Sequence, residues 1–119
     1  MKYRESQEMY LETILNLKKK LSIVRSVDVA NELNYSRPSV SRAVNLLKAG
    51  GFIVISKNGE INFTDIGLKK AKDISERHEV ITKVFIKLGA NEAVAEENAC
   101  RVEHVISNEL MQVLKEFSK

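Results

Sequence analysis

Near the end of the chain, Ala99-Cys100-Arg101-Val102-Glu103-His104 brings together the only cysteine, a carboxylate and one of two histidines. On a helix, residues three and four apart project from one face. Cys100, Glu103 and His104 could therefore aim a thiolate, a carboxylate and an imidazole at one point. Such a mixed donor set suits a divalent transition metal. The plain alternative for any CxxEH is a buried structural cysteine beside a surface Glu-His pair. The pattern around the motif predicts a helix over residues 91–106. At about 100° per residue, Val94, Val102, Val105 and Ile106 fall on one side of it. Glu96, Cys100, Glu103 and His104 gather on the other, within an arc of roughly 100°. A cysteine that filled core volume would accompany the valines, so its expected place among carboxylates and imidazole favours ligation.

The elements that would position these residues fit a chain of 119 residues, one compact unit or two small subdomains sharing a long helix. A single cysteine excludes an internal disulfide, and no apolar run approaches membrane-spanning length. No leader pattern opens the chain, so a reducing, cytoplasmic setting without membrane contact is expected. Charge is unevenly placed: residues 1–64 hold ten Lys/Arg against six Asp/Glu, and residues 65–119 hold nine against ten. The basic excess lies in the N-terminal half, where a polyanion would be met.

Glu5 to Lys20 reads as a helix with Tyr10, Leu11, Ile14, Leu15 and Leu17 in its stripe and Met9 at the border. Ser26 is a candidate cap for a short helix bearing Val27, Val29, Ala30 and Leu33. Asn34-Tyr35-Ser36 then forms a turn, with Ser36 capping a second helix and Pro38 in its first turn. Gly50-Gly51 ends that helix. Two short helices joined this way make a helix-turn-helix. The second keeps Val40, Val44 and Leu47 on one side. Arg37, Pro38, Ser39, Ser41, Arg42 and Asn45 are left for a major groove, where Ser and Asn reach base edges or phosphates and Arg reaches guanine or phosphate. No acidic residue occurs between Ser36 and Gly51, as contact with phosphates requires. β-Branched runs over residues 52–56 and 60–64 flank Asn58-Gly59, a hairpin signal. A hairpin behind a recognition helix is a wing, and Lys57 at its tip could reach a backbone phosphate. The fold class expected is mainly α with a small β-wing. Residues 1–64 would form a winged helix-turn-helix DNA-binding domain, and residues 65–119 a helical metal-binding and dimerisation domain.

Thr64 can cap a long helix to about Leu88, ended by Gly89, with His78 on its inward face among Ile74, Ile81 and Phe85. Ser107 can cap a final helix bearing Leu110, Met111, Val113, Leu114 and Phe117, more apolar than one short helix needs, which suggests a dimer interface.

A winged helix, a long helix and a CxxEH helix together resemble the iron- and manganese-dependent repressors, the family of the diphtheria toxin repressor and the manganese transport regulator. The residues that carry the resemblance are Glu8-Met9-Tyr10-Leu11-Glu12-Thr13-Ile14, Arg77-His78, and Ala99 to Ser107, spread over essentially the whole chain. The resemblance implies a dimeric, metal-activated repressor of metal-homeostasis genes, in a short form without the SH3-like domain. It also implies a primary site of Met9, Cys100, Glu103 and His104. The family's ancillary site uses positions matching His78, Thr82 and Glu96, so this chain departs from it at the last two. Glu12 matches a ligand of the manganese branch, which leaves Glu12, His78 and Glu96 as candidates that assist.

Thioether and thiolate donors are softer than those suited to Mn²⁺, so Fe²⁺ is the expected ion and Mn²⁺ the alternative, with other divalent transition metals binding in vitro. The expected partners are double-stranded operator DNA and a second copy of the chain, with no small-molecule substrate. Two other functions fit parts of the pattern. One is a winged-helix regulator switched by an organic ligand or by oxidation of Cys100. The other is a metallohydrolase with Glu103 as base, although no HExxH occurs and a non-enzymatic role is expected.

Overall fold

The computed structural model describes residues 7–119. Over these residues the chain is mainly helical, with one small antiparallel sheet. The first helix, α1 (Gln7–Lys20), buries Met9, Tyr10, Leu11, Ile14, Leu15 and Leu17. Its last turn is Lys18-Lys19-Lys20, where the helix dipole favours cations. The start expected at Glu5 lies outside the described residues.

Ser26 is the first residue of α2 (Ser26–Leu33) rather than its cap. Arg25 takes the cap position in an extended conformation, and its backbone N–H donates to Asp28 Oδ2 at 2.8 Å. A carboxylate reaching back to the cap N–H supplies the closure that a serine hydroxyl was expected to give. Asn34 then adopts the left-handed conformation (φ 57°), turning the chain into α3 (Arg37–Ala49). Ser36 caps α3 as expected, its hydroxyl accepting from the Ser39 N–H at 3.3 Å. Gly51, at φ 81°, carries the chain out of that helix.

The wing consists of β1 (Ile53–Ile55) and β2 (Ile61–Phe63), paired antiparallel with Ile55 opposite Ile61. Gly59 at φ 85° closes the loop, its N–H donating to the Ser56 carbonyl at 2.9 Å. Two strands of three residues do not hold together on their own. This pair is fixed from outside. The Val24 carbonyl accepts the Ile61 N–H at 2.8 Å, and Lys18 Nζ donates to Asn62 Oδ1 at 2.9 Å.

The long helix α4 (Asp65–Lys87) begins with Thr64 as cap, whose hydroxyl accepts from the Gly67 N–H at 3.1 Å. The same hydroxyl donates to the Gly51 carbonyl at 2.6 Å, and the Thr64 N–H donates to the Phe52 carbonyl at 3.0 Å. A Cβ on Gly67 would lie 1.8 Å from the Phe52 carbonyl oxygen, so the first turn of α4 rests directly on the backbone that enters the wing. Ile66, in the first turn of α4, is exposed.

Contacts divide the chain into two compact units, which among the described residues are 7–72 and 73–119, and the division falls inside α4. In the second unit Gly89, at φ 114°, follows α4 and leads to α5 (Glu92–Val102) and α6 (Asn108–Ser118). Val80, Ile81, Ala99 and Met111 form its buried cluster, with Phe85, Val102, Ile106 and Leu114 packed against it.

α5 corrects the expected helix of residues 91–106. It ends at Val102, and residues 103–105 form a turn. Its buried residues are Ala95 and Ala99, while Val94 and Val105 are exposed. Small side chains let helices approach closely, so the alanines face inward although the valines are the more apolar. Continuing the same line by four residues brings Glu103 to the buried side, not to the opposite face.

Replacing Gly67 by alanine should destabilise the protein by about 1–3 kcal/mol, because backbone rather than a movable side chain blocks the new methyl. Thermal unfolding followed by circular dichroism should show a midpoint lowered by roughly 4–8 °C per kcal/mol. An unchanged midpoint would mean that this junction is loose.

Candidate metal centre and nucleic-acid face

Glu103 is fully buried. Burying a carboxylate is costly unless positive charge or strong hydrogen bonds compensate. Both of its oxygens meet imidazole nitrogens: Oε2 lies 2.9 Å from His78 Nδ1, and Oε1 lies 3.2 Å from His104 Nε2. The His104 side chain is 7% exposed and that of His78 is 26% exposed. α4 thus supplies one imidazole, and the turn after α5 supplies the carboxylate and the other.

The turn itself is anchored. The Glu103 N–H donates to the Ala99 carbonyl at 2.9 Å, and Arg77 Nη2 donates to the Ile106 carbonyl at 2.7 Å. Arg77 and His78, adjacent on α4, therefore hold the backbone and the carboxylate of one short segment. The sequence singled out Arg77 as part of a motif but assigned it no role. Its partner is a carbonyl 29 residues away, which no local pattern reveals.

Of the remaining candidate ligands, Glu96 and Cys100 are exposed positions of α5, one turn apart. In the first unit, Met9 is 6% exposed on α1 and Glu12, one turn later, is half-buried. Within the second unit, then, the structure brings together His78, Glu103 and His104. Two imidazoles and a buried carboxylate are donors that fit a divalent transition metal, and a thioether or thiolate would bias such a set toward softer ions.

The other face with chemical character is on α3. Val40, Val44 and Leu47 are buried, whereas Arg37, Pro38, Ser41, Arg42 and Asn45 are exposed and Ser39 is half-buried. The Ser36 hydroxyl donates to Ser39 Oγ at 2.9 Å, and Arg42 Nη2 donates to the same oxygen at 3.4 Å, which ties the basic side chain to the helix start. Lys57 is exposed at the wing tip. Arg25 was not among the expected residues. Its Nε donates to the Asn58 carbonyl at 2.9 Å and so holds the wing loop from the start of α2.

Two family models match the chain. One, described as the iron dependent repressor N-terminal DNA binding domain, matches residues 2–61. The other, the iron dependent repressor metal binding and dimerisation domain, matches residues 64–119. An uncharacterized HTH-type transcriptional regulator of Methanocaldococcus jannaschii is 33% identical, over 95% of this chain and 92% of its own length. Transcriptional regulator MntR of Escherichia coli O6:H1 is 28% identical, over 98% of this chain and 75% of its own. The crystal structure of T. acidophilum IdeR superposes with a TM-score of 0.84 at 23% identity, covering 96% of this chain. This chain covers 54% of that one, so it spans about half the length of that solved relative.

Changing Glu103 to glutamine keeps the shape and removes the charge that two imidazoles face. Metal affinity, measured by anaerobic competition with a chromogenic chelator, should fall roughly 100-fold or more, about 2.7 kcal/mol. Retained affinity would remove Glu103 from the ligand set.

Proposed function

The chain belongs to the iron-dependent repressor family, and from that premise we propose that Fe²⁺ binding to its second unit and first helix switches on operator binding. Its function is metal-dependent transcriptional repression. This is a regulator's role, and the metallohydrolase alternative falls with the family assignment.

We assign the primary ligands as Met9, Cys100, Glu103 and His104, with His78, Glu12 and Glu96 assisting. The observation that carries this reading is the buried Glu103 carboxylate, set between the imidazoles of His78 and His104. When bound, the ion supplies the positive charge that lets carboxylate, thiolate and neutral imidazoles share one point. The chain's residues do the rest. Met9 and Glu12 lie on α1 and Glu103 and His104 on the turn after α5, so this ligand set would join the DNA-binding part, residues 1–64, to the part that follows, residues 65–119. That joining favours one spacing of the two recognition helices in a homodimer. A differential of about 5 kcal/mol between two spacings suffices to turn a population nearly over. The regulated genes are those of metal homeostasis, and Mn²⁺ is the alternative ion.

DNA contact is assigned to Arg37, Pro38, Ser39, Ser41, Arg42 and Asn45 on α3 and to Lys57 on the wing. The partner is double-stranded operator DNA in the cytoplasm. Among the described residues no helix is long and apolar enough to cross a membrane. For the second copy of the chain, α6 offers Leu110, Val113 and Phe117, all exposed although its Met111 is buried. Lys87 Nζ donates to the Phe117 carbonyl at 2.8 Å, and Lys115 pairs with Glu76, so α6 is fastened to α4 while its apolar face stays exposed.

Gel shifts on the promoter of its own or a neighbouring transport gene test the switch, with anaerobic Fe²⁺, Mn²⁺ and Zn²⁺ titrated against wild type and Cys100→Ala. Binding should need metal, and the variant should need roughly tenfold more of it. Binding indifferent to chelator would move the switch to an organic ligand or to the thiol. An equal response of the variant would remove Cys100 from the site. Val113→Glu together with Phe117→Glu should yield a monomer by sedimentation, with operator affinity lost. A persistent dimer would place the interface elsewhere.

A further inference from the structure

We propose that Tyr35 is a positioning residue for the Met9 thioether, and through it a link from the metal site to the start of the recognition helix. The tyrosine hydroxyl donates to Met9 Sδ at 3.9 Å. Both residues lie within the first unit, Met9 on α1 and Tyr35 in the turn before α3. A methionine side chain has three rotatable bonds, so an unsupported thioether points in many directions. Its sulfur is a weak acceptor, and a hydroxyl bound to it selects one of those directions while leaving sulfur electron density for a metal.

Tyr35 is itself held. Its N–H donates to the Ala30 carbonyl at 3.2 Å, and its ring meets that of Tyr10 with centroids 6.5 Å apart. It follows the left-handed Asn34 and directly precedes Ser36, whose hydroxyl caps α3. A change in where the Met9 sulfur points is therefore met, one side chain away, by the residue next to that cap. The proposal rests on Met9 being a ligand.

The experiment compares wild type, Tyr35→Phe, Met9→Leu and the double variant. Anaerobic Fe²⁺ affinity is read by chelator competition, and the methionine methyl groups are read by ¹³C NMR without metal. Tyr35→Phe should weaken Fe²⁺ binding about three- to tenfold, less than the loss typical of charged outer partners. It should shift the Met9 methyl resonance and leave that of Met111 in place. In the Met9→Leu background the tyrosine change should have no further effect on affinity, since its action runs through the sulfur. An unmoved Met9 resonance, or the same loss in both backgrounds, would overturn the role of Tyr35. Fe²⁺ affinity unchanged in Met9→Leu would instead overturn Met9 as a ligand, and the positioning role with it.

Discussion

A carboxylate with no exposed surface is the constraint on which the C-terminal half of this chain depends. An ionised group there is tolerable only with well-placed partners, since desolvation costs several kcal/mol per ion. Glu103 has an imidazole at each oxygen, and those imidazoles come from two different elements. The requirement reaches back into the packing. α5 presents Ala95 and Ala99 inward, which brings the next residue on that line, Glu103, to the buried side. Arg77 fixes the far end of the same segment through the Ile106 carbonyl. Helix contact, turn and the carboxylate–imidazole contacts are thus one arrangement, and the polar centre is built into the core.

The N-terminal half follows a different logic. Among the described residues its buried side chains are Leu11, Ile14, Val44, Ile53, Ile61 and their like, and its basic and hydroxyl side chains are displayed outward on α3 and at the wing. Backbone hydrogen bonds and caps hold its outward face. The Ser36 hydroxyl, the Arg25 guanidinium and the Thr64 hydroxyl each fix a loop that a helix or strand cannot fix from within. A surface made in this way leaves Arg37, Arg42 and Lys57 exposed to solvent.

Much of this was legible in the residues. The helix-turn-helix follows from the Asn34 turn, the Ser36 cap, Pro38 and the closing glycines, because each is a local stereochemical preference. The wing follows from Asn58-Gly59 between β-branched runs. The face of α5 did not follow from periodicity. Hydrophobic patterning ranks Val94 and Val105 above Ala95 and Ala99, but close helix packing prefers the smaller side chains, and the turn at Glu103 ends the regular period. The anchoring roles of Arg25, Tyr35 and Arg77 were also out of reach. Each acts on a partner 26 or more residues away, a relation that only the folded chain creates.

The contact between Gly67 and the Phe52 carbonyl bears on the thermodynamics of recognition. A lone hairpin of this length would sample many shapes, and capturing one of them on a ligand would subtract from affinity. Here the base of the hairpin is set by the Thr64 bonds and by the first turn of α4, and its tip by Arg25. The ordering entropy of the wing is therefore spent during folding. A duplex docking against it, as proposed, would meet a part already in its final shape, and the binding energy of the tip would go into holding the DNA.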